Sequence, residues 1–433
     1  MGQVETGQDG WGLSRRRWLH ATAGAIVGGV AGFPSVGADA AEATSAWSWK
    51  QLVAHTPGGA GVPVPRDPWN GMLAYKRSLY LFGGVYPRYG PPSGPADLRT
   101  MGSLNDLWRF DLSAGRWQQL EADNGQADFD PSAKRPCGRV LPCWAQLDGT
   151  FYLFGGLTSL AKGWKIRLLN DLWSYQPGSG RWTLLEPNDG RVLDKPAQVD
   201  AGRPAADAAM GVAVIGRRIF LFGGWGGYRN RVVLSPQLWS FDVDSKRWTI
   251  HGTGEEDRRR PWPAKRYCPA VTEYDGRIYL WGGRDSEDRS PQFYNDLWSF
   301  DPKTGRWTEL ARQIKRIEPG TRPFGRYGVG QARVGHHWYI FGGFGGETGN
   351  SPQLNDLWQL DLRTHRWRLI EPHNSGKLVG PAALRPCVRR VPAMTAVGDA
   401  VYLFGGLDLT SGPDERGPLV GFNDLWSGRM GQE

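Results

Sequence analysis

Cysteine is scarce. The chain of 433 residues has four, Cys137, Cys143, Cys268 and Cys387. None stands in a Cys-x-x-Cys, which excludes the usual zinc and dithiol redox spacings. The even count leaves disulfides open, with three pairings for four cysteines and Cys137–Cys143 as a local option. Long apolar runs are also missing. The longest candidate, Ala21 to Phe33, is rich in Ala and Gly and too short to span a bilayer, so no membrane span is expected. No dense basic helix is present. Lys and Arg outnumber Asp and Glu by 52 to 43, a net charge of +9, but they are scattered through loop-like segments. That pattern argues against nucleic acid as a partner and for anionic partners in general.

The first forty residues are not fold material. Ser14-Arg15-Arg16-Arg17-Trp18-Leu19-His20 resembles the twin-arginine export motif, with Trp in place of the usual Phe. The weakly apolar run to Phe33 follows, then Ala38-Asp39-Ala40 as a cleavage site. The resemblance implies a cleaved signal peptide at 1–40, a mature chain at 41–433 and a periplasmic or secreted location. Twin-arginine export carries folded proteins, often with a cofactor. The signal removes Arg15, Arg16 and Arg17 together with Glu5, Asp9 and Asp39, so the mature chain keeps its charge of +9.

What the chain has in excess is glycine, 61 residues, and tryptophan, 22. Both follow a repeat. Glycine pairs stand at Gly83-Gly84, Gly155-Gly156, Gly223-Gly224, Gly282-Gly283, Gly342-Gly343 and Gly405-Gly406. Each is followed by a Leu-Trp, at Trp108, Trp173, Trp239, Trp298, Trp358 and Trp426. Nine residues after the first five of these comes an Arg-Trp, at Trp117, Trp182, Trp248, Trp307 and Trp367. One unit therefore fills the chain. Within it, short apolar runs flank Gly-containing turns such as Asp275-Gly276, which predicts hairpins. A four-stranded antiparallel meander cannot bury both faces alone, so the units must stack, and tandem meanders are the signature of a β-propeller.

The run Gly-Gly, Asn-Asp-Leu-Trp, Gly-Arg-Trp resembles the kelch repeat family over residues 47–433. The third copy departs, with Pro236-Gln237 for Asn-Asp. The sixth copy lacks its Arg-Trp strand, and Trp47-Ser48-Trp49-Lys50-Gln51-Leu52 matches it. The expected fold is thus all-β: a monomeric six-bladed propeller whose N-terminal strand, around Trp49, completes the C-terminal blade.

Strand order places the inter-blade loops and the loops after each glycine pair on one face, where recognition is expected. Sixteen residues before each glycine pair stand Asp67, Arg139, Asp207, Arg266, Arg326 and Arg389, with Tyr267, Tyr327, Arg390 and Trp69 nearby. These would ring the channel mouth and hold an anionic small molecule, an acidic glycan or a partner protein, because guanidinium offers a planar fork to carboxylate or phosphate. Alternatively they pair with one another as structural ions between blades. Trp225, Tyr228 and Arg229 in a post-glycine loop suit sugar or peptide recognition. Arg284-Asp285 could supply an acid or base. Cys137, Cys268 and Cys387 fall in alternate blades and are candidate thiolate metal ligands; no cofactor is assigned. The kelch resemblance includes galactose oxidase, a copper enzyme with His and Tyr ligands, and the exported sialic acid mutarotases, which hold a carboxylate with arginines. His336-His337 would lie on the opposite face, and His55, His251, His365 and His373 are scattered.

Overall fold

A computed structural model describes residues 47–56, 61–86, 102–160, 165–192, 202–228, 231–254, 260–285, 292–346, 353–374, 383–408 and 420–431. The signal-like segment, the cleavage site and Arg229 lie outside these residues, as do the side chain of Tyr228 and its contacts. No helix of the described chain is long and apolar enough to cross a membrane.

Among the described residues the strands form six antiparallel blades of four strands each, with the short strand Arg326–Tyr327 added to blade five and two small two-stranded hairpins beside them. Blade one is Met72–Tyr75, Ser78–Tyr86, Gly102–Asp111 and Arg116–Glu121. Blade two is Cys143–Leu147, Thr150–Leu160, Lys165–Gln176 and Arg181–Glu186. Blade three is Gly211–Ile215, Arg218–Phe222, Leu238–Asp242 and Arg247–Gly252. Blade four is Ala270–Tyr274, Arg277–Trp281, Leu297–Asp301 and Arg306–Ala311. Blade five is Gly330–Val334, His337–Gly345, Gln353–Asp361 and Arg366–Glu371. Blade six combines Ala393–Val397, Ala400–Phe404 and Leu425–Met430 with the N-terminal Trp47–Val53.

The closure predicted from Trp49 is present. Trp47 pairs with Met430, Trp49 with Gly428 and Gln51 with Trp426. Trp49 Nε1 donates to Glu371 Oε2 of blade five at 2.7 Å. The Arg-Trp tryptophans of blades two and three do the same, Trp182 to Glu121 at 3.2 Å and Trp248 to Glu186 at 2.9 Å. Each of these rings is tied to a carboxylate at the end of the preceding blade's outer strand. The apolar cores lie between neighbouring blades. One joins blades one and two through Phe82, Trp144, Phe151 and Trp173, and another joins blades six and one through Leu81, Trp108, Phe404 and Leu425. The repeated tryptophans are thus the mortar of the ring, each large aromatic contributing burial and edge-to-face contacts.

The glycine pairs close the ring at the backbone. The second glycine of each blade donates its N–H to the carbonyl of a residue in the next blade: Gly84 to Arg139, Gly156 to Asp207, Gly224 to Arg266, Gly283 to Arg326, Gly343 to Arg389 and Gly406 to Arg66, all at 2.9–3.0 Å. The geometry needs positive φ, +62° at Gly342 and +93° at Gly343. A Cβ on Gly342 would meet the Arg389 and Leu354 carbonyl oxygens at 2.8 Å. Only glycine permits this approach.

A cavity of about 390 Å³ follows the axis, lined by the first strands of all six blades, from Met72 and Trp144 to Gln331 and Thr395. At the loop face the axis is plugged. Trp69, Val140, Ala208, Tyr267, Tyr327, Phe344, Val391 and Leu407 form one buried cluster drawn from every blade.

Candidate functional site

The bond from the second glycine identifies the equivalent position in every blade. It holds Arg66, Arg139, Asp207, Arg266, Arg326 and Arg389. Counting sixteen residues back finds five of the six and misses blade one by a residue, naming Asp67 instead of Arg66. The extra residue lies in the turn Pro68-Trp69-Asn70-Gly71, where Gly71 N bonds Pro68 O at 2.5 Å. That turn pushes Trp69, 2% exposed, into the axial plug.

The arginines do not ring an open mouth. Arg66, Arg139, Arg266, Arg326 and Arg389 are no more than 1% exposed. Each grips the aspartate of its own blade's Asp-Leu-Trp through both terminal nitrogens: Arg66 with Asp106, Arg139 with Asp171, Arg266 with Asp296, Arg326 with Asp356 and Arg389 with Asp424, at 2.6–3.0 Å. Nη1 also donates to the first glycine's carbonyl, as Arg266 does to Gly282 at 3.0 Å. Nε donates to a carbonyl two residues back, as Arg266 does to Ala264 at 2.9 Å. The same aspartate accepts the indole N–H of the following tryptophan at 2.7–2.8 Å. These pairs lie within blades, not between them. A buried ion pair holds when such hydrogen bonds satisfy the remaining donors and acceptors.

The motif's asparagine ties down the inter-blade linker. Asn105, Asn170, Asn355 and Asn423 donate to the carbonyls of Pro136, Pro204, Pro386 and Pro63. Blade three drops both halves of the clamp together. Asp207 stands for arginine and Gln237 for aspartate, and Gln237 Oε1 accepts the Trp239 indole at 2.7 Å. Asp207 is bonded by backbone, accepting from Ala208 N at 2.7 Å, and burial raises its carboxyl well above the usual range.

Two of the four cysteines are explained by the same clamp. All four are free and buried, so the Cys137–Cys143 disulfide does not form. Cys137 and Cys387 place Sγ against Nη2 of Arg139 and Arg389, at 3.4 and 3.2 Å, and take the guanidinium's remaining N–H. Cys268 lies in the axial plug at φ +48°. Burial pushes all of these thiols up, away from thiolate chemistry. Among the described residues they do not gather as metal ligands.

Side chains one position after the clamp face the axis, because successive residues of an extended chain alternate. Here Asp67, Tyr267, Tyr327 and Arg390 do come together, in the plug. Tyr267 and Tyr327 meet edge to face at 5.5 Å, and Arg390 Nη1 donates to Tyr327 Oη at 3.2 Å. Arg284 is 1% exposed, its guanidinium 5.6 Å from the Phe293 and Tyr327 rings. Asp285 accepts from Tyr294 Oη at 3.2 Å. Trp225 packs half-buried at the edge of the same cluster.

Burial raises Asp67 to about 6, against the lowering effects of its bond from Trp69 N and of Arg390. Because the folded value exceeds the unfolded one, the penalty is absent below about pH 4, grows as pH rises and is complete above about pH 6. Asp67→Asn should therefore gain about 2–3 kcal/mol over wild type at pH 8, and the gap should shrink toward pH 4. Urea unfolding at the two pH values reads this directly.

The comparisons agree with this architecture. A family profile described as the KLHDC2/KLHL20/DRC7 Kelch-repeats domain matches residues 130–343 and 194–406. The chain belongs to this kelch-repeat family. The kelch propeller is similar to Kelch domain-containing protein 3 of Homo sapiens, 29% identical over 377 residues, which cover 83% of each chain. It is also similar to Kelch domain-containing protein 10 of Homo sapiens, 25% identical over 353 residues, covering 80% of this chain and 67% of that one. In this kelch chain the blade repeat accounts for the glycines, tryptophans, clamp arginines and two of the cysteines. Sequence reasoning missed Arg66, although it stands directly beside the counted position in a blade whose Asp106 keeps the aspartate of Asn-Asp-Leu-Trp.

Proposed function

We propose that this kelch propeller is an exported binding scaffold that takes an acidic segment of a partner protein, or a comparable anionic ligand, on its loop face. The observation that carries the reading is the extension of strand-two and strand-three hairpins past the glycine pairs. In blade two, pairing continues through Leu157–Leu168 and Thr158–Arg167 to Leu160–Lys165. In blade three, Trp225–Tyr228 and Arg231–Leu234 make a separate hairpin on the same face. Such projecting loops on a rigid ring are the usual carriers of recognition, and kelch propellers typically serve as protein-binding scaffolds. Arg167 is half exposed and pairs with Asp128 at 3.2 Å, a contact an incoming carboxylate can replace. The net charge of +9 favours an acidic partner.

The arginines that an acidic-sugar enzyme would need are already bound to aspartates. Export rests on the Arg15-Arg16 motif, and its test is fractionation of the Arg15→Lys, Arg16→Lys variant, which should stay in the cytoplasm. Crosslinking in the native envelope should capture a partner with wild type and lose it with Arg167→Glu, at unchanged melting temperature, because Arg167 is half exposed. Capture equal for both proteins would refute the loop-face assignment.

A further inference from the structure

The turn face of blade five carries a grouping that the repeat does not explain. The strand one–two turn is Gly335-His336, with Gly335 at φ +59°, and it sets His336 beside His337, the first residue of strand two, with ring centroids 3.9 Å apart. The strand three–four turn begins at Asp361, which pairs in register with His337. Leu362 N bonds His336 O at 2.9 Å, so the two turns are laced together by backbone. Sister blades show what this position demands. Arg218 stands at the His337 position of blade three and reaches Asp242 at 3.3 Å; Arg277 does so in blade four and reaches Asp301 at 3.0 Å. The aspartate is met by a strand-two cation in both.

Blade five replaces that guanidinium with imidazoles. His336 Nε2 is sealed from solvent, makes no hydrogen bond and stops 3.9 Å from Asp361 Oδ2. That gap is too wide for a hydrogen bond. One donor atom from each of His336, His337 and Asp361 lies within 4.8 Å of the others. Donors around a tetrahedral zinc stand about 3.3 Å apart, given metal–ligand distances near 2.0–2.2 Å, so the set has to draw in by no more than about 1.5 Å.

We propose that His336, His337 and Asp361 form a binding site for a borderline divalent transition cation, with zinc as the reference ion and solvent in the fourth position. Two imidazoles and one carboxylate select this class over magnesium or calcium, which take all-oxygen sites. Arg363 contacts the same carboxylate at 3.2 Å and must swing aside; its side chain is 57% exposed and turns freely into solvent. The site lies on the face opposite the recognition loops, so it is independent of the proposed partner surface.

Chelator-treated protein titrated with zinc chloride in a calorimeter should take up one equivalent, and cobalt(II) should give a tetrahedral visible spectrum. His336→Gln should weaken zinc binding by at least ~100-fold, the scale expected when a ligand rather than its support is lost. Asp361→Asn, which keeps the oxygen that accepts from Arg363 N and Thr364 N, should weaken it similarly while both variants melt as wild type does. Absence of heat and of a cobalt spectrum at metal up to roughly 1 mM, or equal binding by wild type and both variants, overturns the proposal.

Discussion

Asp296→Ala is expected to cost about 3–5 kcal/mol of unfolding free energy. The aspartate accepts both terminal nitrogens of Arg266 and the Trp298 indole. Its removal strands a guanidinium that is fully buried, with the Tyr294 ring 3.9 Å from it. A loss of that size is a large fraction of the stability of an ordinary domain. Adding Arg266→Met should recover part of it, because an apolar side chain of similar length asks for no partner. Urea denaturation of the two variants and wild type provides the measurement. An arginine held for a ligand predicts the reverse: Asp296→Ala would free it, with little change in stability.

Deletion of Trp47–Val53 should be more damaging still. The segment supplies the outer strand of blade six, six backbone pairings with Leu425–Met430 and the indole bond from Trp49 to Glu371. Trp47 also packs on Tyr339, and Trp49 on Phe341 of blade five. Without it, the ring has an open edge and the core between blades five and six loses both indoles. The truncated chain is expected to lose cooperative melting and to aggregate. A sharp transition within a few degrees of wild type would show that closure contributes little.

The fold was legible because its signal is redundant. Six glycine pairs, each followed by a Leu-Trp, and five Arg-Trp tryptophans always nine residues further on leave one reading, and Trp49 in the empty Arg-Trp slot fixes the closure. The site was less legible for two reasons of geometry. A fixed offset cannot register a local insertion, and the turn at Pro68–Gly71 shifted blade one by a residue. Nor does an offset say which way a side chain points. At the start of the first strand, neighbours alternate between the blade interior and the axis. Arg266 therefore faces Asp296, while Tyr267 faces the plug.

The decisive clue was nonetheless in the repeat. The third copy lacks arginine and aspartate at once, with Asp207 and Gln237, as expected of two groups that need each other. Cys137 and Cys387 likewise recur two residues before an arginine, where a sulfur can take its last N–H. Nothing comparable marked His336 and His337, whose meaning depends on a strand register that brings Asp361 beside them.

The central claim is that the arginines clamp the blades, leaving recognition to the loops. A double-mutant cycle at Arg326 and Asp356 by equilibrium urea unfolding tests it most directly. The account predicts a coupling of more than about 2 kcal/mol, since these residues are in direct buried contact. Additivity within about 0.5 kcal/mol, with Arg326→Ala melting near wild type, would contradict it.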